Sequence, residues 1–119
     1  MNREQLAKKV EDSCIEILDN LGYISSVKVL LRLDYLTKDN YEKWRFGKID
    51  YLEKVCTANL SKLNFANSSI SKISKKLNLK SSRTVYTKYG KGPKTKLRFS
   101  KSNNNAKEIQ YSTHYLNQK

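Results

Sequence analysis

The chain has 119 residues, with 24 lysines and arginines against 11 aspartates and glutamates, for a formal net charge of +13. Its apolar share of 38% and aromatic share of 10% suit one modest core, burying roughly 65% of the unfolded surface at this length, and exclude a wholly disordered chain. No run approaches the ~18 apolar residues of a membrane span, and the charged start MNREQLAKKVEDSC lacks the apolar stretch of a secretory signal. Two cysteines and one histidine are too few for a disulfide framework or a structural zinc site. The expectation is a cytoplasmic protein, one domain over residues 1–119, with no cofactor, no metal and no membrane.

Over 2–21, Leu6, Val10, Cys14, Ile17, Leu18 and Leu21 recur at steps of three and four, which predicts a helix capped by Asn2 and stopped by Gly22. Segment 26–36 alternates like a strand at Val27, Val29, Leu31 and Leu33, but fits a helix at Val27, Leu30, Leu31 and Tyr35. The Ser25-Ser26 pair is a cap signal, with Ser26 taken as the cap, and it favours the helix. Thr37-Lys38-Asp39 opens a short helix over 38–47 that carries Tyr41, Trp44 and Phe46 and ends at Gly47. Asp50-x-x-Glu53 reads as a capping box for the next helix. From there either one helix runs over 51–79 or two meet near 64–69, where NFANSS is poor in helix formers.

Beyond Ser82 the character changes. RTVYTKY (83–89) and KTKLRFS (94–100) are rich in β-branched and aromatic residues around Gly90-Lys91-Gly92-Pro93, which predicts a hairpin. Ile109, Tyr111, Thr113 and Tyr115 alternate with polar residues, which predicts a third strand. The predicted class is α+β: four to five helices over 1–79, then a small antiparallel sheet with a basic β-hairpin over 83–116.

The charge is not evenly spread. Residues 1–60 hold ten basic and ten acidic residues, whereas 61–119 hold fourteen basic and a single acid, Glu108. Codon bias toward lysine would load both halves alike, so the surplus points to an anionic partner, of which nucleic acid is the commonest for a basic module. The candidate contacts are Tyr86, Lys88, Tyr89, Lys91, Lys94, Lys96, Arg98 and Lys101: a basic hairpin tip with an aromatic to stack, and alternate cations on one strand face. An ordinary solvated hairpin is the plain alternative.

Two blocks, YEKWRFGKIDYLEKVCTANLSKL (41–63) and LRFSKS (97–102), followed by Thr113-His114-Tyr115, resemble a family of small basic bacterial and phage proteins of unknown function. The resemblance implies a bacterial or phage cytosolic origin and brings no activity, cofactor or site residues.

Other motifs compete with plainer explanations. Residues 70–86 have the apolar spacing of a helix-turn-helix, but Thr84-Val85 falls one residue late and the stretch after it is a poor recognition helix. Trp44 and Arg45 are candidates for a protein interface, since these residue types dominate interface energetics; the alternative places Trp44 and Phe46 partly in the core. His114, Arg98, Lys101, Tyr111 and Tyr115 are the types a metal-free ribonuclease uses, a base for the 2′-hydroxyl and cations for the phosphate. Cys14 and Cys56 sit on apolar stripes and read as core. The leading expectation is a non-enzymatic module that binds DNA or RNA. The alternative is a phage or mobile-element inhibitor of a protein or ribonucleoprotein machine, and the third possibility is a ribonuclease toxin.

Overall fold

The protein is described over residues 2–117 by a computed structural model. The Asn2 side chain accepts from the Gln5 amide at 2.8 Å while the Asn2 amide donates to Gln5 Oε1 at 3.1 Å, and this reciprocal cap opens α1, Arg3–Leu21. A short strand β1, Tyr23–Ser25, follows and leads directly into α2, Ser26–Arg32. Ser25, not Ser26, is the cap, its hydroxyl accepting from the Lys28 amide at 3.2 Å. The Ser26 hydroxyl turns inward instead and donates to Asn67 Oδ1 at 2.8 Å. Thr37 caps α3, Lys38–Arg45, and Asn59 caps α4, Leu60–Lys76.

The stretch around 51–79 resolves differently from either expectation. The Asp50-x-x-Glu53 box is absent; Leu52–Val55 form a single 3-10 turn with no side-chain cap, and Glu53 is buried. Helix α4 then runs through NFANSS without a break, because Ala66, Asn67 and Ile70 are buried there and packing overrides weak propensity. At its end the Leu79 amide donates to the Ser74 carbonyl and the Asn78 amide to the Lys75 carbonyl, a Schellman turn with Asn78 at φ +57. That turn delivers the chain into β2, Lys80–Arg83. Residues 77–86 hold no second helix, so residues 70–86 are not a helix-turn-helix.

The class is α+β, five helices with a three-stranded antiparallel sheet in the order β1-β3-β2. The central strand, β3, is Thr113–Leu116; it pairs Ser25 with His114 on one side and Ser82 with His114 on the other. The expected strand over 109–115 is corrected in its first part: Asn105–Ser112 form helix α5, capped by Asn104 Oδ1 on the Lys107 amide at 3.2 Å. The hairpin at 90–93 is a sparse arm. One bridge, Thr87 to Lys96, and the bonds Lys88 N to Thr95 O (2.9 Å) and Leu97 N to Tyr86 O (2.8 Å) hold its two sides together.

Two apolar clusters share α2 and α4. One packs Leu6, Val10, Cys14 and Ile17 of α1 against Ile24, Val29, Ala66 and Ile70. The other surrounds Trp44 and Phe99 with Leu30, Leu52, Leu63 and Tyr111. Each fully buried aliphatic here is worth roughly 1.5–3 kcal/mol.

The second cluster is closed by a backbone clamp on Leu97–Lys101. Glu53 Oε1 accepts from the Lys101 amide at 2.9 Å, and Oε2 accepts from the Tyr111 hydroxyl at 2.6 Å. Glu108 takes the Phe99 and Ser100 amides at 3.0 and 2.7 Å and the Ser100 hydroxyl at 2.6 Å. The Trp44 indole donates to the Arg98 carbonyl at 2.8 Å. Phe99 lies flat on Tyr111, ring centroids 5.4 Å apart. Replacing Glu53 by Ala strands the Lys101 amide and the Tyr111 hydroxyl, and urea unfolding is expected to show a loss of about 2–4 kcal/mol. Glu42→Ala, an exposed acid on α3, is the matched control and is expected to stay within about 0.5 kcal/mol of wild type.

Candidate nucleic-acid interface

The arm residues divide into exposed cations and buried rings. Lys88, Lys91, Lys94, Lys96 and Lys101 are exposed. Arg98 is not a free cation of that set: its Nε donates to the Ser100 carbonyl at 2.8 Å, its terminal nitrogen bonds the Lys101 carbonyl, and its guanidinium lies 5.2 Å from the Tyr51 ring centroid. Tyr86 is a correction. It is 8% exposed, packed against Trp44 and Phe99, and its hydroxyl, pushed up to about 12 by burial first, faces His114. Its place is in the core wall, not among the exposed residues of the arm.

Trp44 is likewise fully buried and presents no anchor to a partner. Arg45 is different. Its guanidinium lies 3.9 Å from the centroid of Tyr89, 5.1 Å from that of Tyr86 and 6.0 Å from that of Tyr41. Its Nη1 donates to the Tyr41 hydroxyl at 3.5 Å, and its buried Nε has no hydrogen-bond partner. Burial, reinforced by a hydrogen bond to Tyr89, raises the Tyr41 phenol above its ordinary value. The arm docks here on the end of α3. The Tyr89 amide donates to the Arg45 carbonyl at 2.7 Å. The Lys88 stem lies over Gly47, where a Cβ would sit 3.0 Å from it at φ +76.

The ion pairs follow the division of charge along the sequence. The described ion pairs are Lys8–Asp12, Arg32–Glu16, Lys43–Asp39 and Lys54–Asp50, all within the first half. Among the described residues no lysine or arginine after Lys54 is ion-paired. Glu108, the single acid of 61–119, spends both carboxylate oxygens on the Phe99 and Ser100 groups. Next to it a cleft of about 260 Å³ opens between residues 83–86, residues 96–99 and α5, with Arg83 and Lys96 among its lining.

Three residues of the ribonuclease constellation, Tyr111, Arg98 and His114, have their polar groups engaged elsewhere. Tyr111 is bonded to Glu53, and burial first, then that bond, raises its phenol well above the ordinary range. Arg98 is bonded to backbone carbonyls. The His114 ring stacks on Tyr23 at 5.0 Å, and its Nε2 lies 3.0 Å from the Tyr86 hydroxyl. The Cys14 and Cys56 thiols are each pushed up to about 12, by burial first and then by Glu11 and Glu53, and stay protonated at neutral pH. Among the described residues no group of three or more His, Cys, Asp or Glu is placed to hold a metal ion, and no helix is long and apolar enough to cross a membrane.

The residues that sequence reasoning missed are Glu53, Glu108 and Phe46. Local spacing makes Glu53 a capping residue and Glu108 a solvent-facing strand residue, whereas both carboxylates turn inward. Phe46, expected partly in the core, is 47% exposed. No protein-family model, no curated protein and no solved structure matches the chain, so the functional reading rests on this geometry.

Burial first, then the charge of Lys28, holds the His114 imidazole below its ordinary 6.5. The folded state therefore favours the neutral ring. Its contribution to stability is whole above the unfolded value and is lost as pH falls through the lower folded value. Denaturant midpoints measured from pH 7.5 downward are expected to drop from about pH 6.5, and His114→Gln is expected to flatten that fall.

Proposed function

We propose that the protein is a cytoplasmic nucleic-acid-binding module whose contact surface is the basic arm of residues 88–96 with Lys101. The observation that carries this is the unneutralised charge of the second half. Lys88, Lys91, Lys94 and Lys96 are exposed, none is ion-paired, and Glu108, the single acid of residues 61–119, is turned inward onto backbone amides. Like charges held together on an ordered arm repel one another, and a polyanion removes that cost while releasing its own counterions. Protein inhibition of a nucleic-acid machine draws less from the molecule, because Trp44, the anchor it would use, is buried. A ribonuclease would need a free acid–base group where His114 is already occupied.

If these lysines bind phosphates, log affinity falls linearly and steeply with log salt for both random DNA and random RNA. Lys94→Gln with Lys96→Gln is expected to weaken binding to all sequences about equally and to flatten the salt slope by roughly one unit for each phosphate left without its lysine. Lys8→Gln with Lys9→Gln removes the same charge from α1 and is expected to change little. Equal losses from both pairs would show a diffuse polycation without a site. Absence of binding by the wild type at near-physiological salt would overturn the proposal.

A further inference from the structure

Phe46 and Tyr89 come from segments far apart in the chain and meet edge to face, ring centroids 5.6 Å apart. They are 47% and 41% exposed. Scattered exposed apolar side chains are ordinary, but these two form one aromatic surface, and the fold holds it in place. The Tyr89 amide is tied to the Arg45 carbonyl at 2.7 Å. Gly90 passes under Phe46, where a Cβ would lie 3.9 Å from the ring at φ +101. Behind Tyr89 lies the Arg45 guanidinium, 3.9 Å from the ring centroid, with no carboxylate paired to it among the described residues. Around the pair the chain places Lys48, Lys88 and Lys91, all exposed.

A duplex presents phosphates and stacked, paired bases, whose π-faces are already covered and give an exposed aromatic pair nothing to stack on. An unpaired strand presents π-faces beside phosphates, the two chemistries found together here. We propose that Phe46 and Tyr89, backed by Arg45, are a stacking platform for unpaired bases of a single-stranded nucleic acid whose phosphates run along Lys88 and Lys91. This rests on the nucleic-acid function proposed above and adds the form of the ligand: single-stranded, and bound without reading base edges.

The test is anisotropy titration of the full chain with labelled oligo(U), oligo(dT) and a mixed-sequence duplex, each about 15 nucleotides or base pairs long, near the span such sites cover. The single strands are expected to bind more tightly than the duplex. Phe46→Ala and Tyr89→Ala, each first checked for a wild-type melting profile, are expected to weaken single-strand binding about ten-fold, the scale of one base stack removed. Duplex binding is expected to change little, and Phe46→Trp is expected to retain wild-type affinity for single strands. Unchanged single-strand affinity in both alanine variants, while the Lys94 and Lys96 pair still weakens binding, would overturn the platform and leave the nucleic-acid function standing. Equal losses on single strand and duplex would also overturn it, since they would reflect a displaced arm. Failure of the wild type to bind any of the three probes would overturn both and point to a protein as the partner of this surface.

Discussion

Glu53 and Glu108 hold the chain between Leu97 and Lys101 by its amides, and the second half of the molecule depends on that grip. The segment lies between the 3-10 turn and α5, where it would otherwise bury unpaired backbone donors. Four of the donors near it, the amides of Phe99, Ser100 and Lys101 and the hydroxyl of Ser100, end on one of the two carboxylates. On the other side the Arg98 and Phe99 carbonyls accept from the amides of Leu52 and Glu53. A buried carboxylate is costly unless its oxygens are filled with donors. Here each oxygen has at least one, so the two carboxyl groups serve as a structural clamp on the backbone.

That use of the acids has an electrostatic consequence. Glu108 is the one negative charge in a half that carries fourteen positive ones, and it faces inward. The cations of α4, β2 and the arm have no described ion pair, and the arm is held by one bridge and its link to the end of α3. On the proposed function, the repulsion among these cations is the cost of keeping a surface ready for an anion. The first half shows the opposite arrangement, with i,i+4 pairs such as Lys43–Asp39 and Lys54–Asp50 balancing charge locally.

The same docking that anchors the arm builds the aromatic surface. The end of α3 supplies the Arg45 carbonyl for the Tyr89 amide and the bare Gly47 for the Lys88 stem. Arg45 then lies among Tyr41, Tyr86 and Tyr89, held by ring faces in place of a carboxylate. Trp44, one residue earlier on α3, points the other way into the core. Neighbouring residues on one helical turn thus serve the core and the surface, because successive side chains on a helix point about 100° apart.

What the sequence determined by itself was local. Helices α1 and α3 are legible because their caps and apolar steps lie within a few residues of one another, and the Gly90–Pro93 turn is legible from its residue types. The imbalance of charge is legible by counting. Strand β2, Lys-Ser-Ser-Arg, has no apolar signal, since it is an edge strand with mostly solvent-facing side chains. Helix α5 reads as a strand because Ile109, Tyr111, Thr113 and Tyr115 satisfy a period of two, while the Asn104 cap that decides the matter resembles part of a polar turn. The burial of Glu53 depends on an amide 48 residues away and a hydroxyl 58 residues away, and Tyr86 is core because Trp44 and Phe99 close over it. Pairings at such separations leave no mark in local spacing. Only the tertiary structure could decide which of the acids and aromatics face inward and which, like Phe46 and Tyr89, are left at the surface.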